Sequence, residues 1–167
     1  MNHLKAFILP LFFVMVSGCS SSDQPSQDHN AEANAEIESQ RNNLAAFATE
    51  FYHFYQPFNK TEKQDLASFI QKHGDTYLTP DLKALLLKDI ACRQKGEICK
   101  LDFDPFYAVQ DDVQFTGVKM MDHDQVRVQF SDEVDVVMVF DCRQNCRIEN
   151  IIYDQGEDLR SLLEATE

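Results

Sequence analysis

Apolar residues recur at three- and four-residue steps in the first half of the chain. Leu44, Phe47, Ala48, Phe51, Phe54, Tyr55 and Phe58 form one stripe and predict an amphipathic helix over residues 37–56, ended by Pro57. A second, shorter helix is expected from Thr61, whose Thr61-x-x-Gln64 spacing has the capping-box form. It turns Leu66, Phe69 and Ile70 inward and stops at Gly74. Thr79-Pro80-Asp81 reads as an N-cap, a first-turn proline and a first-turn acid. They open a third helix that buries Leu82, Leu85, Leu86 and Ile90. The period then changes. Val126, Val128 and Phe130 alternate with polar residues, as in a half-buried strand, whereas residues 134–140 are apolar at nearly every position and suggest a strand covered on both faces. Two more strands are expected over 113–121, with a bulge at Gly117, and over 147–153. A closing helix over 157–164 carries Leu159, Leu162 and Leu163.

Short polar linkers (Asp122-His123-Asp124 and Ser131-Asp132-Glu133) make these strands an antiparallel meander. Helices followed by a meander is an α+β order. The strand count and helix order suit a cystatin-like, nuclear-transport-factor-like cone, in which about four curved strands wrap round the long first helix.

The N-terminus follows a different logic. Lys5, an apolar run from Ala6 to Val16 and the small pair Ser17-Gly18 are the three parts of a secretory signal, and the run is too short to span a bilayer. Val16-Ser17-Gly18-Cys19 resembles the lipobox of bacterial lipoproteins. That likeness implies cleavage before Cys19, acylation of that cysteine and stable membrane anchoring by more than one acyl chain. Ser20, where an aspartate would favour the inner membrane, points by the same resemblance to the outer membrane, facing the periplasm. Residues 19–36 hold almost nothing that packs and are expected to be a flexible tether. Residues 37–167 remain as one domain.

Charge narrows the partners. With 15 Lys and Arg against 28 Asp and Glu the net charge is −13, and loss of Lys5 with the signal makes the remainder more acidic still. This argues against a nucleic-acid footprint and against docking to anionic headgroups. Besides Cys19 there are four cysteines, an even number that in an exported chain reads as two disulfides. The local pairs Cys92–Cys99 and Cys142–Cys146 are favoured among three connectivities because each brackets a polar turn. Each small loop contributes about 2 kcal/mol by chain-entropy reasoning. A zinc site is the rival, but no histidine sits beside either pair at ligand spacing.

One segment stands out: Leu101-Asp102-Phe103-Asp104-Pro105-Phe106-Tyr107-Ala108-Val109-Gln110-Asp111. It resembles the signature of a family of bacterial lipoproteins and periplasmic proteins typified by YbjP and YqhG. Phe51-Tyr52-x-Phe54-Tyr55, Tyr77-Leu78-Thr79-Pro80-x-Leu82 and the stretch from Arg147 to Leu162 agree with it. The chain departs from that family in having Cys146 and no tryptophan where the family's last strand often carries one. The resemblance implies a cone-like α+β domain and no catalytic residues.

Read from its residues alone, the segment is a turn built by Asp104 before Pro105, with Phe103, Phe106 and Tyr107 plugging the wide end of the cone. Asp102, Asp104, Phe106, Gln110 and Asp111 are the candidate binding residues. A calcium site of Asp102, Asp104, Asp111 and Asp112 is the rival, though the spacing lacks the glycine and glutamate of an EF-hand. Asp122-His123-Asp124 is expected to be a solvated turn rather than a metal site. His53, His73 and His123 fall in no catalytic arrangement, and no nucleophile elbow, zinc-protease helix or phosphate loop occurs. No cofactor is expected. The function expected is non-enzymatic protein binding in the cell envelope. An inhibitor or immunity protein against a cell-wall hydrolase, and a small-ligand cone, are the alternatives.

Overall fold

The computed structural model describes residues 28–59, 65–96, 99–110 and 113–165. Cys19, the signal segment and Asp111 lie outside them. Four α-helices and four strands follow in the expected order: α1 (Asp28–Asn59), α2 (Leu66–Tyr77), α3 (Pro80–Gln94), β1 (Phe115–Met120), β2 (Gln125–Phe130), β3 (Asp135–Asp141), β4 (Arg147–Ile152) and α4 (Leu159–Glu164). The strands form one open antiparallel sheet in the order β1-β2-β3-β4. The architecture is therefore α+β, a meander preceded by helices. α1 packs on the β1–β2 half of the sheet, and α2, α3 and α4 gather against β4.

Several boundaries differ from expectation, each for a local reason. α1 begins at Asp28, inside the stretch expected to be a flexible tether. Ala31, Ala33 and Ala35, with Glu32 and Glu36, are strong helix formers. They extend a helix already nucleated by its packed C-terminal half. Pro57 does not end α1 but sits in its last turn, where the missing N–H costs a single hydrogen bond before the helix stops at Asn59. The Thr61 capping box lies outside the described residues. α2 is capped by Asp65, whose carboxylate accepts the Ser68 amide at 2.9 Å. Nor does Gly74 stop α2. It is buried within the helix, where an added Cβ would lie 3.1 Å from the Lys83 side chain, so glycine lets α3 approach and Lys83 reach Asp75 at 2.8 Å. α3 starts as read, with Thr79 capping the Leu82 amide and Pro80 in the first turn.

The sheet is covered on one face. In β3, Val136, Met138 and Phe140 are buried while Val137 and Val139 are only half-buried, so the strand expected to be covered on both faces alternates instead. The expected bulge is present: the β1–β2 register shifts between Phe115 and Gly117. Leu78 forms a parallel bridge to Ile148, and the Thr79 amide donates to the Ile148 carbonyl at 2.9 Å, docking the α2–α3 junction on β4.

The core is aromatic at its centre. Phe51 is fully buried and meets Tyr52, Tyr55, Phe69, Tyr77 and Phe106 at ring separations of 5.0–5.8 Å. Burying one such side chain contributes roughly 2–3 kcal/mol. Both disulfides form the local pairs, Cys92–Cys99 at the end of α3 and Cys142–Cys146 across the β3–β4 turn.

Candidate functional site

The Asp102–Gln110 segment is drawn inward at its middle and left outside at its ends. Asp104 is the keystone. Its carboxylate accepts hydrogen bonds from the Tyr55 hydroxyl (2.7 Å), Asn59 Nδ2 (2.9 Å) and the Phe106 amide (2.9 Å), so the end of α1 and the turn close on one acid. The Asp104 carbonyl accepts the Tyr107 and Ala108 amides, and Ala108 takes a positive φ of 60° to complete the loop. Tyr52 donates to the Phe106 carbonyl at 2.6 Å and Tyr153 to the Pro105 carbonyl at 3.1 Å, which ties the segment to α1 and to the end of β4. Phe106 has no exposed surface and packs on Phe51, Tyr55 and Phe69.

Burial pushes the Asp104 carboxyl above the usual range, against the pull of its three donors. Burial, and then the Asp104 charge, raise the Tyr52, Tyr55 and Tyr153 hydroxyls well above theirs, so all three stay protonated as donors.

Of the candidate binding residues, Asp104 and Phe106 are thus interior supports. Asp102 and Gln110 are exposed and do not join them, and Asp111 lies outside the described residues. The oxygen atoms of Asp104 are committed to protein donors, and among the described residues no group of three His, Cys, Asp or Glu side chains could hold a metal ion. The histidines stay apart: His53 lies edge-on to Phe115, His73 packs edge-on to Phe54 and Phe58 and tilted to Phe69, and His123 is exposed in the β1–β2 turn.

Surface relief lies elsewhere. At the end of the sheet away from Asp104, an open groove of about 690 Å³ runs between α1 and the two hairpin turns. Leu44 and Phe140 give it an apolar floor. His123, Asp124, Arg143 and Glu149 give it a polar rim, and Cys142 and Cys146 stand in its wall. Arg143 folds back onto Asp141 through its backbone amide (3.0 Å), Nε (2.9 Å) and Nη2 (2.6 Å). These bonds hold the Asp141 carboxyl down to about 2. At the opposite end, a second groove of about 540 Å³ runs past Phe103, Val109, Val134 and Tyr153. Glu133, Asp135, Asp154 and Glu157 line it, against one cation, Arg127, which pairs with Asp135 at 2.8 Å.

Sequence reasoning passed over two supports. Asp89 accepts the Lys100 and Leu101 amides at 2.8 and 3.4 Å and lies 3.3 Å from Arg93 Nε, pinning the chain just past Cys99. Its signal is an acid beside Ile90 on the apolar face of α3. The hydroxyls of Tyr52 and Tyr55 were legible only as aromatic mass on α1.

No family model, no curated protein and no solved structure matches the chain. Among the described residues no helix is long and apolar enough to cross a membrane.

Proposed function

We propose that the chain is a non-enzymatic protein-binding module. Lipid on Cys19 tethers it to the outer membrane on the periplasmic side, and a partner protein docks in the groove between α1 and the β1–β2 and β3–β4 turns. The observation that carries this is the contrast between a filled interior and open relief at one end. Phe47, Phe51 and Phe54 occupy the space where a small-ligand cone would keep its pocket, with Phe47 edge-on to Phe140 and Phe54 against His73. The groove, by contrast, has the apolar floor and polar rim typical of protein interfaces.

The test places a photo-crosslinking residue at Gln144, in the turn beside the groove, and another at the distant Asp154, in intact cells. A discrete adduct from position 144 and none from 154 is expected; adducts from neither, or equally from both, count against this docking face. Radiolabelled palmitate on the wild type but not on Cys19→Ser checks the anchor.

A second function has a specific footing in the other groove. Four acids around an apolar strip suit a basic protein, as an inhibitor or immunity protein against a cationic cell-wall hydrolase would need. Protection of cells against such a hydrolase, lost on charge reversal at Glu133 and Glu157, would favour it.

A further inference from the structure

The two disulfides sit in different settings. Cys92 and Cys99 are both half-buried, and they join the last turn of α3 to a stretch that Asp89 pins through the Lys100 and Leu101 amides and that leads straight into the buried Leu101. Cys142 is exposed and Cys146 half-buried, and both border the open groove. They lie within a hairpin that is already held twice without sulfur. The β3–β4 ladder runs up to the Asp141–Arg147 pair at the base of the turn, and Arg143 clamps the turn onto Asp141.

We propose that Cys142–Cys146 is a thiol–disulfide exchange site that accepts an incoming protein dithiol, with the Cys142 sulfur as the atom attacked. Access decides which sulfur is struck, because exchange needs a thiolate to reach it. Cys142 is the more open of the two. A thiolate of the incoming dithiol bonds to Cys142 Sγ, the Cys142–Cys146 bond breaks, and Cys146 leaves as a thiolate that takes up a proton. Arg143, the cation within the turn, is engaged with Asp141. The second thiol of the partner then attacks the mixed disulfide and releases Cys142. The partner ends as a disulfide and this chain as a dithiol, with two electrons and two protons transferred. The acids Asp124 and Glu149 also line the groove, so the exposure of Cys142, rather than charge, is what favours exchange there. Because ladder and clamp remain, the exchange proceeds in the folded protein. The site does not depend on the docking face proposed above.

The experiment treats the full chain with dithiothreitol under native conditions, quenches at intervals with acid, alkylates, and maps each cysteine by peptide mass. Cys142 and Cys146 are expected to become alkylated at least about ten-fold faster than Cys92 and Cys99, with the near-ultraviolet circular dichroism unchanged. Equal rates, the reverse order, or reduction that coincides with loss of the near-ultraviolet signal would overturn the proposal. A thioredoxin-type dithiol protein whose resolving cysteine is replaced by serine then serves as a trap. A mixed disulfide at Cys142 is expected, while an adduct at Cys146 or at the α3 pair, or none, overturns it. The double variant Cys142→Ser/Cys146→Ser should keep the native spectrum, and its failure to fold would also count against the exchange site.

Discussion

The Asp104 turn and the Cys142–Cys146 turn are both short loops with distinctive sequences, yet the protein uses them in opposite ways. The first is pulled into the core. Its acid is closed over by donors from α1, its Phe106 is sealed among aromatic rings, and its carbonyls are held by tyrosines from two elements. The second stands mostly outside, bound to itself by a disulfide and by the Asp141–Arg143 clamp, and it borders a groove, with Cys146 alone packing against the core. A conspicuous acidic-aromatic motif can therefore be scaffold, while a plain polar turn carries the accessible chemistry.

The sharpest way to break this contrast is to truncate the buried anchor. Phe106→Ala should cost about 4 kcal/mol in a denaturant titration, as other deletions of a buried aromatic side chain do. Asp104→Ala leaves the Tyr55, Asn59 and Phe106 donors without their acceptor and should cost about 3 kcal/mol by the same measurement. Tyr52→Phe removes one buried hydrogen bond and should cost about 1 kcal/mol.

At the other turn, Arg143→Ala should leave the denaturant midpoint nearly unchanged, since the pair is exposed and screened by solvent. Its effect should instead appear in a carbon-detected NMR titration of Asp141, whose midpoint rises from about 2 toward the ordinary carboxylate value.

Acid provides the finest comparison, because the two carboxylates are shifted in opposite directions. The folded state lowers Asp141, so its contribution is present above the ordinary carboxylate pKa and is lost as pH falls through about 2. The folded state raises Asp104, so ionising it costs stability as pH rises from the ordinary carboxylate value through its raised folded value. Melting curves across that window should show a slope that Asp104→Asn flattens and Arg143→Ala leaves in place.

Much of the fold was legible because its signals are local. The Leu44–Phe58 stripe, the Thr79-Pro80 start, the alternation through Val126, Val128 and Phe130 and the polar brackets around each cysteine pair each depend on neighbours in sequence. What was misplaced depends on distant partners. Gly74 reads as a stop until Lys83 of the next helix is seen lying across it, and β3 reads as doubly covered because alternation disappears when both faces carry valine. The candidate site was half legible. Asp104 was identified as a turn-former, but its donors Tyr55 and Asn59 lie 49 and 45 residues away, and no local pattern announces them.

The openness of the sheet has a consequence for self-association. Because the strand order ends on β1, one row of its backbone groups pairs with no other strand among the described residues, and such an edge invites polymerisation with like chains. β1 is only six residues long, is bulged between Phe115 and Gly117, and carries Lys119. Short length, a bulge and a lysine are what keep natural sheet edges from joining. Gly117→Val, which favours a regular edge, is expected to raise self-association, read as faster growth of thioflavin fluorescence than in the wild type.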